Sequence, residues 1–240
     1  MRFWNWVLFV LALSVAPAAA DDGDFAPPPV AYPKLPPHAA TVDAIVPSGW
    51  QIEQRAMGDL NGDGMPDVAL TLRDQDPRNI VTKSGPDGPT RYNTNPCVLV
   101  VLFASARGGY DLAVENRTLI PRLKNLYDED DPTQVEFLAI KHGLLGVGFQ
   151  YLGPSNSIVR FRYRQGHFLL VGLDDNGVAG GILSSRSIDF LSGRVKFSSG
   201  DVSSSKPFKE RWMTFKPGPP LTMDQVGDAT AFKPAGIPEE

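Results

Sequence analysis

Apolar positions along this chain recur mostly with a period of two, so strands are expected almost throughout the body. Gln51 to Met57 reads as a strand. Val68, Leu70 and Leu72 alternate with Ala69, Thr71 and Arg73, which predicts a half-buried strand. Cys97 to Phe103 is apolar without a break, as expected of a strand covered on both faces. Arg107-Gly108-Gly109 turns the chain into a further strand from Tyr110 to Asn116. Three more hairpins are predicted. Val135–Ile140 and Leu144–Tyr151 flank His142-Gly143, Ile158–Tyr163 and His167–Leu173 flank Gln165-Gly166, and Ile188–Phe190 and Val195–Ser198 flank Ser192-Gly193. Ser84 to Pro96, which holds Gly-Pro-Asp-Gly-Pro, reads as a loop, and Asp174-Asp175-Asn176-Gly177 as a turn. The result is an all-β domain of antiparallel hairpins, the pattern of a sandwich, barrel or propeller.

The ends of the chain read differently. Residues 1–20 have a basic start at Arg2, an apolar run from Phe3 to Val15 and the small residues Ala18-Ala19-Ala20 before Asp21, which predicts a cleavable export signal. That run is shorter than the about 20 apolar residues a membrane span needs, so the protein is not expected to be membrane-embedded. Residues 21–45 form a proline-rich linker, with six prolines between Pro27 and Pro37, expected to be extended and to pack little. The β domain is placed at 46–216, and an irregular tail rich in Pro and Gly at 217–240.

The formal net charge of −4 gives no basic field of the kind nucleic acid requires, so a nucleic-acid partner is not expected. Cys97 is the one cysteine and makes no internal disulfide. Its place at the head of an apolar run reads as a buried small hydrophobe.

The most specific chemical signal is Gly58-Asp59-Leu60-Asn61-Gly62-Asp63-Gly64-Met65-Pro66-Asp67. Oxygen groups two residues apart in a tight loop converge on one centre, and calcium takes six to eight such oxygens. Asp59, Asn61, Asp63 and Asp67 supply side chains and Met65 its carbonyl, while Gly62 and Gly64 permit the sharp bends. The glutamate that closes an EF-hand is replaced by Leu70, inside a predicted strand. The competing reading is an acidic Asx-turn without metal. The acidic run Asp128 to Asp131 lacks this spacing and reads as a solvated loop.

Catalytic patterns are not found. His38, His142 and His167 have no partners at triad or zinc spacing, and Ser203-x-x-Lys206 lies in a polar loop stopped by Pro207. The chain is therefore expected not to be an enzyme. Arg160, Arg162 and Arg164 alternate with Phe161 and Tyr163, making a basic row off one strand face. That row is either a solvated face or a contact for an acidic partner. Tyr151 to Ser157, just before it, would be a hairpin loop.

Taken in order, Gly49-Trp50, the loop at 58–67, the strand Val68 to Leu72, Asp130-Asp131-Pro132, the Phe161 to Phe168 hairpin and Asp174-Asp175 resemble a family of secreted bacterial proteins. That family carries a single FG-GAP (integrin-type) calcium loop. Some members are similar to periplasmic immunity proteins, which inhibit peptidoglycan hydrolases delivered by type IV secretion systems. The resemblance implies a small β-propeller-like domain, a bound Ca²⁺ and a periplasmic location. It also implies a lysozyme-like effector as partner. Tyr151, Ser155, Asn156 and Ser157 would enter the hydrolase cleft, and Arg160 and Arg162 would meet its catalytic carboxylates. The alternative is a calcium-stabilised envelope module that binds a ligand or acts as a scaffold, with no hydrolase partner.

Overall fold

The computed structural model describes residues 27–85, 88–123, 135–151 and 153–239. The expected export signal and the Asp128–Asp131 cluster lie outside them. The strands in chain order are β1 (His38–Ala39), β2 (Trp50–Gly58), β3 (Asp67–Asp74), β4 (Ile80–Gly85), β5 (Gly88–Asn93), β6 (Cys97–Ala104) and β7 (Tyr110–Asn116). They continue with β8 (Val135–Lys141), β9 (Leu144–Gln150), β10 (Asn156–Arg164), β11 (His167–Ala179), β12 (Ile182–Asp189), β13 (Arg194–Asp201) and β14 (Lys209–Thr214). One short helix, α1 (Met223–Val226), follows, with Thr222 and Gln225 capping each other.

All pairings are antiparallel. One sheet has five strands in the order β1-β7-β6-β3-β2, and another runs β14 to β8 as a seven-stranded meander. The protein is thus all-β, as the two-residue period predicts. The described strands form neither a closed barrel nor a propeller, because the hairpins run on into five- and seven-stranded sheets instead of separating into four-stranded blades.

The main core lies where the two sheets meet. Ala69, Leu99 and Val101 from the smaller sheet join Leu145, Val147, Phe149, Val159, Phe161, Leu173 and Val195 from the larger. The opposite faces of β3 and β6 are buried as well. Val68, Leu70, Leu72, Val98, Val100 and Leu102 pack beneath Leu35, Ala39 and Ile45. Two sequence expectations are corrected here. β3 is buried on both faces instead of half-buried. The segment expected to be a linker that packs little is the cover that buries it: β1 pairs with β7, and Tyr32, Val42 and Val46 join Leu35 and Ile45 on that face.

Two further segments depart from expectation. Ser84 to Pro96 is not simply a loop, since β4 and β5 pair from Ile80↔Asn93 to Gly85↔Gly88 as a separate two-stranded ribbon. A buried polar knot roots it: Asn79 Nδ2 donates to Asn95 Oδ1 at 2.8 Å, and Thr94 Oγ1 donates to the Asn79 carbonyl at 2.8 Å. Asp174 to Gly177 is not a turn but the continuation of β11, held between β10 and β12 through Asp174↔Ser187 and Asn176↔Ser185. The tail is mostly irregular, yet Met223, Val226 and Ala229 enter the main core.

Candidate metal centre and the adjoining arginine row

The loop from Asp59 to Pro66 joins β2 to β3, and packing positions its first residue. Gly58 lies against Ile140 of β8, where a Cβ would come within 2.6 Å of the Ile140 side chain, so only glycine fits without displacement. This brings the loop beside the His142-Gly143 turn, with Gly143 close to the Asp59 carbonyl. Gly62 and Gly64 have φ of 86° and 82°, the bends read from sequence.

Within the loop each acidic side chain is tied to backbone amides. Asp59 accepts from Gly62 N–H at 2.6 Å and from Gly64 N–H at 2.9 Å. Asn61 Oδ1 accepts from Asp63 N–H at 2.9 Å, and Asp63 Oδ1 accepts from Met65 N–H at 2.7 Å. Asn61 Nδ2 donates to Asp63 Oδ2 at 3.0 Å. Asp67 is different. It is fully buried and accepts from Leu60, Asn61 and Ala104 N–H at 2.8, 3.3 and 2.9 Å. Burial pushes its carboxyl above the usual range, and those three amides pull the other way.

The donor set is oxygen only, which suits a hard cation, and Asp59, Asn61 and Asp63 hold theirs at the surface. Asp67 clamps the loop to the start of β3 and to the end of β6. Among the described residues no three His, Cys, Asp or Glu side chains are drawn together as a metal cluster.

The residues expected to meet a partner are not brought together. Alternation along β10 puts Ser157 on the face of Val159 and Phe161, where it is buried and bonded to the Tyr151 hydroxyl at 2.9 Å. Burial raises the Tyr151 hydroxyl's pKa, opposed by that same bond. Ser157 is therefore turned into the packed face of the sheet and away from solvent. Asn156 lies on the other face and accepts from Asn176 Nδ2 at 2.9 Å. Gly153 and Pro154 are exposed and Ser155 is half-buried beside Gly177, which leaves a short exposed tip among the described residues. Arg160 is ion-paired with Asp174, which also accepts from Ser187 Oγ at 2.7 Å. Its charge is thus answered inside the sheet.

Arg162 behaves otherwise. Its Nε is buried without a hydrogen-bond partner, and with Arg164 it lines an open cleft of about 490 Å³. The other wall of that cleft is Asp59 to Gly62, with His142 and Gly143 between them. Arg164 and His142 belong to this cleft but were missed as site residues. The two-residue period from Arg160 already places Arg164, whereas His142 is brought in only by the packing of Gly58 on Ile140.

Comparison with protein-family models, curated proteins and solved structures finds no match to this chain.

Proposed function

We propose that this is a calcium-binding, non-enzymatic protein of the bacterial periplasm that inhibits a secreted lysozyme-like peptidoglycan hydrolase. The observation that supports it is the open cleft that joins the Asp59–Gly62 loop to Arg162 and Arg164. Asp59, Asn61, Asp63 and the Met65 carbonyl would hold the ion, with Asp67 completing the set through the lone pairs its amide bonds leave free. Bound calcium would offset two of the loop's three carboxylate charges and stiffen it beside the arginine row. Arg162 and Arg164 then present unanswered positive charge to the acidic cleft of a hydrolase. Arg160 serves the fold instead, through Asp174. The exposed Gly153-Pro154 tip is the part of the Tyr151–Ser157 segment free to enter a partner.

The alternative, an envelope module without a hydrolase partner, is favoured by one observation: Arg160 and Arg186 are both neutralised within the sheet, by Asp174 and Asp175. The test uses the purified chain and a panel of peptidoglycan hydrolases, with wall lysis measured with calcium and with chelator. Inhibition that falls on chelation, and falls at least tenfold with flattened salt dependence in Arg162→Ala/Arg164→Ala, is the expected result. Absence of inhibition across the panel would overturn the inhibitor reading, and an unchanged double variant would overturn the arginine contact.

A further inference from the structure

A second cavity, of about 370 Å³, shares no residue with the calcium cleft. It opens between the β12–β13 turn and the C-terminal segment. Its walls are mainly apolar and include Leu170, Phe190, Leu191, Phe215, Phe232 and Ile237. The size lies within the range of small-molecule sites.

The frame of this cavity is firmly built. Leu170 N–H donates to the Leu221 carbonyl at 2.8 Å, and Leu169 bridges to Thr222, so the tail is stitched to β11. On the other side, Phe215 N–H donates to the Gly193 carbonyl at 2.8 Å. Gly193 has a φ of 65°, and a Cβ there would strike the Phe215 carbonyl, so this approach also requires glycine. The Phe190 and Phe215 rings meet edge to face at 6.3 Å. Asp189 accepts from the Leu191 and Ser192 amides at 2.9 and 3.2 Å, which fixes the turn. That turn holds Leu191 outward at the rim, 57% exposed, where an isolated leucine gains nothing from the fold.

Two cations complete the rim. Lys216 and Lys233 line the cavity, and both are exposed. No acidic residue lines it, and among the described residues neither lysine is ion-paired.

We propose that this cavity binds the alkyl chain of a single anionic amphiphile, a long-chain carboxylate, whose headgroup is taken by Lys216 and Lys233. The apolar walls match the chain, and the two lysines that line the cavity match the headgroup. The concave, framed shape suits a monomeric ligand better than a flat bilayer surface.

The test is calorimetric titration of the full chain with dodecanoate below its micellar concentration, set against dodecanol and against anionic phospholipid vesicles. Saturable binding of one dodecanoate is expected, with dodecanol at least tenfold weaker. Lys216→Glu/Lys233→Glu should weaken dodecanoate tenfold or more. Ala235→Trp, which fills the cavity from an exposed position, should abolish it. Leu191→Asp gives a second route should the tryptophan variant fail to fold, with at least tenfold weakening expected. Binding unchanged in the cavity variants, equal affinity for dodecanol, or binding to vesicles alone would each overturn the proposal.

Discussion

Strand β3 and strands β10 to β12 are built from the same two-residue alternation but end in different surroundings. In β3, as in the unbroken apolar strand β6, both faces are covered, one by the larger sheet and one by the chain before β2. In β10 to β12 one face holds Val159, Phe161, Leu173 and Ile188 in the core. The other carries Arg160, Asp174 and Ser187 bonded to one another. What separates them is the presence of a cover. Where the proline-rich chain lies across a sheet, Val and Leu fill the face beneath it. On the outer face of β10 to β12, which no described segment crosses, charges pair with charges.

The largest effects should come from breaking this contrast in the covered sheet. Leu70 faces the outer cluster and Phe161 the inner one, and both are fully buried. Leu70→Ala should cost about 2–5 kcal/mol and Phe161→Ala about 3–5 kcal/mol, measured by urea unfolding. A Leu70→Ala cost under about 1 kcal/mol would mean the N-terminal segment is not a working part of the core.

This contrast also marks what was legible from the amino-acid order. Cys97 to Phe103 declared itself as doubly covered because nothing polar interrupts it. β3 did not, because Thr71 and Arg73 occupy its alternation and both are buried by partners distant in sequence. Arg73 is answered by Glu53 at 2.6 Å and by the Asn95 carbonyl at 2.9 Å, a satisfaction no local pattern records. Asp174 to Gly177 looked like a turn because Asn-Gly favours positive φ, yet partners on both sides hold it extended. The glycines of the loop between β2 and β3 were readable one by one. The burial of Asp67 beneath the Ala104 amide was not, since it depends on β3 pairing with β6.

A smaller effect sharpens the contrast through pH. Cys97 begins β6, the middle strand of the covered sheet, its Sγ 3.9 Å from Glu53. Burial pushes its thiol up to about 12, against a smaller opposing pull from Arg73. An acid raised in the folded state favours folding only while it stays protonated. Its contribution is therefore intact below the unfolded thiol's value near 8.5 and is lost as pH rises from there toward 12, by up to about 1.4 kcal/mol per unit. Unfolding of the wild type and Cys97→Ala at pH 7.5 and 9.5 measures this. The wild type should lose about 1 kcal/mol more than the variant. An equal loss in both would show that the thiol is not held in a low-polarity site.

The smallest effect belongs to the uncovered face. Arg160 and Asp174 are about one-third and one-fifth exposed, so water screens their attraction, and their bond competes with the entropy of two ordered side chains. A double-mutant cycle with Arg160→Ala and Asp174→Ala should return a coupling of about 0.5 kcal/mol that shrinks further in 0.5 M salt. Ser187→Ala should change it little, since that hydroxyl bonds the other Asp174 oxygen. A coupling above about 2 kcal/mol, insensitive to salt, would place this face in the same class as the pair Glu53 makes with the buried Arg73. The division between covered and open sheet would then fail at a position where charge, rather than carbon, draws the line.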